Sequence, residues 1–306
     1  MERFDECLID GDLLVYACVM AAEYGNEIED VNLHEILNAI DSKIMNIKAR
    51  LNASRVRLFF SGKGNFRFDV MPEYKANREF VIPPHYLAEA KLYCMHRWDG
   101  ELEDGLEADD LMCLAQRYDD TTVICTIDKD MLQARGWHYR WETVHSGEKL
   151  QKVEGIGEVT CVIKQDSKGR NTKKIGGVGL KFFCLQLLTG DPVDGITGCA
   201  TMTEKTRKTG KNAGEKYMSR DGVGPVEAYD TLASATTYSE SLRRVIDLYK
   251  KEFGDEWEHH LLRQGRVLYM VKQRDEAGAL QLWHWNAERM RSESKYCLET
   301  RTFLKG

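Results

Sequence analysis

Hydrophobic positions along the chain fall into two rhythms. Cys7, Leu8 and Ile9 form a short apolar run that stops at Asp10, Gly11 and Asp12, the pattern of a buried strand ending at carboxylates. Leu33, Ile36, Leu37, Ile40, Ile44, Ile47 and Leu51 then recur at intervals of three and four, the stripe of an amphipathic helix. A second apolar run over residues 56–60 predicts another strand. Strand, helix and strand make a βαβ unit, whose crossover predicts a parallel sheet with right-handed connections.

Residues 61–84 are polar and basic with scattered aromatics, which predicts a long loop or irregular excursion, a kind of segment that is usually functional. Helices are expected over 87–98 and 107–118, the second opened by carboxylates where the helix dipole favours them. A third strand is expected over 122–127, again followed by acids, Asp128 and Asp130, and a fourth over 137–141. From Gly155 the texture changes. Residues 158–164 and 173–178 read as a hairpin around Ser167, Lys168 and Gly169. Residues 197–222, rich in Thr, Lys and Gly without periodicity, read as a mobile basic insertion. Helices follow over 239–253 and 256–271. The expected organisation is an α/β module over 1–150 and a smaller helical module over 151–306.

Composition narrows the class. In 306 residues, 42% hydrophobic and 30% charged with only 5 Pro, there is enough apolar material for a sizeable core, which excludes a disordered or collagenous chain. The longest apolar stretch, residues 13–22, is half of what a membrane-spanning helix needs. At the start, Glu2, Asp5, Glu6 and Asp10 outnumber Arg3, unlike a secretory signal, so a cytoplasmic protein is expected. The 9 Cys include no C-x-x-C pair, and neither disulfides nor structural zinc are expected.

The net charge of -6 hides an asymmetry. Residues 99–110 hold seven acids and no base, whereas residues 151–220 hold thirteen bases against seven acids. Asp10 and Asp12 follow the first strand, Ser61 the second, and Asp128 and Asp130 the third, while Glu107, Asp109 and Asp110 open a helix. Ligands of open parallel sheets bind at the carboxyl ends of the strands, so all of these groups are placed to meet on one rim. Asp191 and Asp194 repeat the spacing of Glu107 and Asp110. Carboxylates gathered so closely repel one another unless cations neutralise them. All-oxygen donors favour Mg²⁺ or Mn²⁺, and two such ions are suited to phosphodiester hydrolysis. The alternative reading of each acid is a solvated face or a helix cap.

The ordered motifs carry a further signal. Asp10-Gly11, Tyr74-Lys75-x-Asn77-Arg78, Glu107-x-Asp109-Asp110, Asp128-x-Asp130, Gly190-Asp191-x-x-Asp194 and Gly222-x-Gly224 together strongly resemble the 5′ nuclease (flap endonuclease) family over residues 8–235, and the tail resembles that of short-tailed-phage 5′→3′ exonucleases. The resemblance implies a 5′ nuclease or PIN-like α/β core with a mainly parallel central sheet flanked by helices, followed by a DNA-grip region of helix-three-turn-helix type. It implies that Asp10, Glu107, Asp109, Asp110, Asp128, Asp130, Asp191 and Asp194 bind two Mg²⁺ ions, with Mn²⁺ as a substitute. Lys75 and Arg78 match catalytic, positively charged residues at the foot of a helical arch that passes the single-stranded 5′ end. A Lys and an Arg beside a metal cluster are suited to clamping the scissile phosphate.

Tyr74 is a candidate for stacking on an unpaired base, or else a core aromatic between Pro72 and Val81. Gly222 and Gly224 match the turn that grips duplex backbone, where the resemblance also admits K⁺, or else make an ordinary turn. Lys205, Arg207 and Lys208 in the basic insertion are candidate phosphate contacts, or else side chains of a solvated loop. Two departures stand out. Ser61-Gly62-Lys63-Gly64 replaces the Asp that many relatives carry after the second strand, and Val226 and Glu227 stand where a basic residue is usual.

The implied activity is hydrolysis of DNA, and of RNA in RNA–DNA hybrids, from a free 5′ end, flap or nick. In a phage this serves replication or host DNA degradation, in the host cytoplasm and without a membrane. Two other classes compete: a structure-specific DNA-binding protein with little cleavage, and a PIN-type ribonuclease. The Gly190–Asp194 and Gly222–Gly224 motifs disfavour the second, because gripping duplex is of no use on single-stranded RNA.

Overall fold

The computed structural model describes residues 3–78, 80–165 and 169–304. The first strand, β1 (Glu6–Asp10), is fully buried at Cys7, Leu8 and Ile9, as a central parallel strand must be. It runs directly into α1 (Gly11–Glu23), which absorbs the apolar stretch of residues 13–22. The expected stripe forms α2 (Leu33–Arg50), with Ile36, Ile40, Ile44 and Ile47 buried, and returns the chain to β2 (Arg55–Ser61). A single turn, α3 (Arg67–Val70), then α4 (Leu87–Arg97), β3 (Glu101–Glu103), α5 (Ala108–Ala115), β4 (Thr122–Cys125), β5 (Gly136–Arg140) and β6 (Lys149–Val153) complete this part of the chain. Residue 150 thus falls inside a strand of the main sheet.

The sheet order is β3-β2-β1-β4-β5-β6. Every neighbouring pair is parallel except β5 with β6, so the mainly parallel α/β sheet expected from the sequence is present. From β1 the order runs one way to β2 and β3 and the other way to β4 and β5. The gap between β1 and β4 is therefore the topological switch point, where such a sheet opens a crevice at its carboxyl edge. One face is packed by α1, α2 and α4. The opposite face joins Leu8, Phe59 and Ile124 to Met112 of α5 and to Met270 near the end of the chain.

The hairpin expected after Gly155 is present as β7 (Glu158–Gln165) and β8 (Asn171–Val178), antiparallel in register from Glu158 opposite Val178 to Gln165 opposite Asn171. Of its expected turn, Ser167 and Lys168 lie outside the described residues. Next, α6 (Gly179–Thr189) is buried along nearly its whole length. The mobile insertion expected over 197–222 is instead an ordered ribbon, β9 (Ala200–Thr206) paired antiparallel with β10 (Lys216–Gly222). Its strands, ATMTEKT and KYMSRDG, carry only Met202, Tyr217 and Met218 as large apolar residues, all exposed, too few for the alternation that reveals a half-buried strand.

Helices α7 (Pro225–Leu232), α8 (Tyr238–Phe253) and α9 (Trp257–Leu268) follow and share a second core with α6. Helix α9 stops three residues before its expected end at 271. Gln133 replaces the next turn of backbone bonds, donating from Nε2 to the Leu268 carbonyl and accepting from the Met270 N–H. The end of the chain, unanticipated from the sequence, forms a small sheet of β11 (Leu280–Gln281), β12 (Lys295–Cys297) and β13 (Thr302–Phe303), with α10 (Ala287–Glu293) between the first two strands. Among the described residues no helix is long and apolar enough to cross a membrane.

Candidate active site

Apart from Asp110, the carboxylates expected to share a rim do share one, around a cavity of about 300 Å³ at the switch point. Asp10 ends β1 and caps α1, accepting from the Leu13 N–H at 3.0 Å and from the Thr126 hydroxyl at 2.8 Å. Glu107 and Asp109 come from the start of α5, and Asp128 and Asp130 from the loop after β4. Asp128 accepts from the Asp130 N–H at 2.8 Å, which holds that loop in a tight turn. Asp191 and Asp194, beyond α6, close the far side. Asp191 accepts from the Val193 N–H at 3.0 Å, and its backbone is bridged to Ile196.

Electrostatically the acids split into two groups. Asp10, Asp109, Asp128 and Asp130 stand together with little countercharge. Burial pushes the Asp10 carboxyl up to about 7, helped by Asp12 and Asp128 and opposed by its hydrogen bonds. Burial, then the Asp128 charge, raises Asp130 to about 7 as well, with Lys129 only partly opposing. Asp109 is also raised well above the usual carboxylate range, by burial and then by Asp128, Asp10 and Glu107. Glu107 behaves oppositely. Burial would raise it, but Arg67 and Lys75 outweigh that and hold it below the usual carboxylate range.

The basic motif lies against this second group. Lys75 Nζ is 2.6 Å from Glu107 and 3.7 Å from Asp194, and Arg78 is 2.5 Å from Asp194. The Lys75 N–H and the Asn77 amide also donate to the carbonyls of Asp194 and Val193. These bonds tie the motif to the turn that carries Asp191 and Asp194. The helical arch implied by the resemblance is not seen. Among the described residues from 71 to 86 the chain contains only a 3₁₀ turn, Ala76–Arg78, before α4 begins.

Two expected roles are corrected. Tyr74 is 3% exposed, with its ring against Phe68 and its hydroxyl donating to Glu107 and Asp194, each at 3.1 Å. No base can reach that ring, so Tyr74 orients two carboxylates and does not stack. Asp110 is fully buried, and it grips Arg67 at 2.6 and 2.8 Å while accepting from the Val271 N–H at 2.9 Å. It lies outside the cavity, with its oxygens occupied, which removes it from the candidate ligands.

Ser61, at the end of β2, brings no carboxylate; its hydroxyl accepts from the Ala108 N–H at 3.1 Å. Asp12 stands beside it instead, accepting from the Ser61 N–H at 2.8 Å and pairing with Lys91 of α4 at 2.5 Å. The sequence marked Asp12 only by its D-G-D spacing and left Lys91 unmarked. Gln186, which donates to Asp130 at 2.9 Å, was also missed. A lone amide in the apolar run FFCLQLL was the available signal, because a buried polar group needs a partner.

In the ribbon, Arg207 and Lys208 are exposed at the tip, with Arg207 over the Tyr217 ring. Lys205 is less free than expected, paired with Asp221 at 2.5 Å. Arg220 anchors the root of the ribbon by donating to the carbonyls of Thr197, Leu188 and Val223. Gly222 is required by close approach, since a Cβ there would meet the Cys199 carbonyl at 2.4 Å. Gly224 precedes Pro225, which opens α7.

Among the described residues no three His, Cys, Asp or Glu side chains stand close enough to grip one ion as they are. The donor set nevertheless fits a hard divalent cation. Asp10, Asp109, Asp128 and Asp130 offer only oxygen donors, and Asp10, Asp109 and Asp130 are desolvated and repelled by neighbouring carboxylates, so an ion would supply the missing charge.

Compared by sequence, the chain matches no family model and no curated protein. Compared by structure, it aligns with the T5 D15 protein co-crystallised with metal ions at a TM-score of 0.51 and 14% identity, covering 85% of this chain and 87% of that one. The fold is that of the T5 D15 protein. Two further structures align at a TM-score of 0.46. One is a bacteriophage T5 D15 flap endonuclease variant with DNA and metal ions, at 15% identity over 86% of this chain and 94% of that one. The other is the catalytic core of Rad2 with DNA substrate, at 14% identity over 87% and 73%.

Proposed function

We propose that this chain is a 5′ nuclease: a divalent-metal-dependent phosphodiester hydrolase that cuts DNA at or near a free 5′ end, flap or nick, as a 5′→3′ exonuclease and flap endonuclease. RNA in RNA–DNA hybrids is a second substrate on this reading, and a phage would use the activity in replication or in degrading host DNA. The observation that carries the proposal is the meeting of Asp10, Asp109, Asp128 and Asp130, short of countercharge, with Lys75 and Arg78 across one cavity. The likeness of fold to the T5 D15 protein supports it.

In this reading Asp10, Asp109, Asp128, Asp130, Asp191 and Asp194 hold Mg²⁺ or Mn²⁺, with Glu107 at the border of the set. Bound there, the ions supply an activated water and countercharge for the leaving oxygen. The protein's own groups do the rest. Thr126 and the Leu13 N–H hold Asp10 in place, and Tyr74 holds Glu107 and Asp194. Lys75 and Arg78 exchange their carboxylate partners for the scissile phosphate, where their charge offsets what develops in the transition state.

We assign residues 1–150 to the nuclease core, whose edge strand runs on to Val153 and whose site Asp191 and Asp194 join, and the rest of 151–306 to gripping DNA. The tip of the β9–β10 ribbon, with Arg207 and Lys208, and the Gly222–Gly224 turn before α7 meet the duplex backbone, contacts that position without reading sequence. K⁺ at that turn belongs to the same reading.

The test incubates the purified protein with a 5′-flap duplex and a matched blunt duplex, in Mg²⁺ or EDTA, beside an Asp128→Ala, Asp130→Ala double variant. Cleavage that needs Mg²⁺ and disappears in the double variant is the expected result. Tight binding of the flap without cleavage by either protein would overturn the enzyme and leave a DNA-binding module.

A further inference from the structure

Ser61 is the last residue of β2, the position at which the family resemblance expects an Asp. A carboxylate does reach that position, from the neighbouring element. Strands β1 and β2 are parallel, with Asp10 opposite Phe59, so their carboxyl ends open on one rim. Asp12 lies in the first turn of α1, two residues past the end of β1, and its Oδ2 accepts from the Ser61 N–H at 2.8 Å. Both residues line the carboxylate cavity.

An acid in a first turn is ordinarily there for the helix dipole or as a cap. Capping of α1 is already done by Asp10, which takes the Leu13 N–H. Asp12 instead bonds to partners 49 and 79 residues further on, the Ser61 N–H and the Lys91 ammonium, the latter at 2.5 Å on Oδ1. Each oxygen thus accepts once, and an ionised carboxylate has lone pairs beyond these two bonds.

Asp110 marks the contrast. Arg67 and the N–H groups of Val271 and Glu107 take up both of its oxygens, and its side chain is 0% exposed. The Asp12 side chain is 22% exposed. Its charge is also felt within the set, since the Asp10 carboxyl is raised first by burial and further by Asp12.

We propose that Asp12 is a metal ligand of this chain, supplying from α1 the carboxylate that Ser61 does not supply from β2. The inference rests on the metal-dependent reading of the cavity and deepens it. Moving the carboxylate across by one strand leaves the number of anionic oxygen donors unchanged, and that number sets affinity for a hard divalent ion. Ligating carboxylates are oriented by hydrogen bonds from groups behind them, and the Ser61 N–H and Lys91 fill that role. Ser61 then acts through its backbone, where its side chain brings no charge.

Mn²⁺ is titrated by calorimetry into the full chain without DNA, so that cleavage plays no part in the readout. The parent is compared with Asp12→Asn, with an Asp12→Asn, Ser61→Asp double variant, and with Glu89→Gln on the exposed face of α4 as a control for net charge. Folding is checked by melting temperature in EDTA. Asp12→Asn is expected to lose at least about tenfold in affinity for one ion, the double variant to regain it, and the control to lose none. Direct ligation is read separately: Co²⁺ added to Asp12→Cys is expected to give a sulfur-to-metal charge-transfer absorption that the parent lacks.

A folded Asp12→Asn protein that binds Mn²⁺ like the parent overturns the assignment. So does a loss that Ser61→Asp fails to restore, with no sulfur band in Asp12→Cys, because Asp12 then acts by charge alone. A parent that binds no Mn²⁺ overturns the metal reading along with the assignment. Mn²⁺ binding that depends on Asp12, without hydrolysis of any flap or blunt duplex, would overturn the nuclease and leave Asp12 a ligand.

Discussion

The guanidinium of Arg67 and the carboxylate of Asp110 meet at 2.6 and 2.8 Å with 1% and 0% of their side chains exposed. Arg67 also donates to the Val267 carbonyl at 2.8 Å, and Asp110 accepts from the Val271 N–H. The pair therefore joins α3 and α5 to the segment that ends α9. Removing one partner strands the other as a buried charge. Asp110→Asn and Arg67→Met are each expected to cost about 3–5 kcal/mol of stability, read from urea unfolding in EDTA. An Asp110→Asn protein as stable as the parent but inactive would return Asp110 to the metal ligands.

Tyr74 separates two roles through a single oxygen. If its ring met a base, Tyr74→Phe would change nothing. Because its hydroxyl holds Glu107 and Asp194, Tyr74→Phe is expected to reduce kcat by about tenfold, the equivalent of one hydrogen bond to a charged group. Affinity for single-stranded DNA in EDTA should be unaltered. Full activity in the Phe variant would remove the positioning role.

His138 makes stability depend on pH. Burial pushes its imidazole down to about 4, from an ordinary value of 6.5. Between those values the unfolded chain binds the extra proton and the folded one does not, so the His138 contribution is complete above pH 6.5 and declines as the pH falls towards 4. The full difference is about 3 kcal/mol. Urea midpoints at pH 7 and pH 4.5, compared between the parent and His138→Leu, isolate it. The parent should lose more stability than the variant on acidification, and parallel losses would exclude His138 as the source.

The β9–β10 ribbon should reveal itself through salt. Arg207→Gln with Lys208→Gln removes two exposed cations from its tip. On the proposed duplex contact, the slope of log affinity against log salt should become shallower by about 2, with weaker duplex binding at every salt concentration. An unchanged slope would make the tip a solvated loop.

The order of strands and carboxylates was readable in the chain itself. Runs such as Cys7–Leu8–Ile9 before Asp10, and the α2 stripe from Leu33 to Leu51, are local patterns, and they prescribed a βαβ unit whose strands end in acids. The rim of Asp10, Asp128 and Asp130 follows from that order, because parallel strands place their carboxyl ends on one edge.

What the chain did not reveal depends on partners distant in sequence. Nothing local distinguishes Asp109 from Asp110. One lines the cavity, and the other is taken up by Arg67, 43 residues earlier, and by Val271, 161 residues later. Tyr74 likewise reads as a base platform until its hydroxyl is found between Glu107 and Asp194. The β9–β10 ribbon escaped because it buries too little apolar surface to alternate, and its pairing is a matter of backbone register that side-chain pattern does not record. Sequence thus determined which chemistry was available and the edge on which it gathers. Tertiary packing decided which carboxylates stayed unpaired, since burial and the reach of a distant Arg or Tyr are set only when the chain closes on itself.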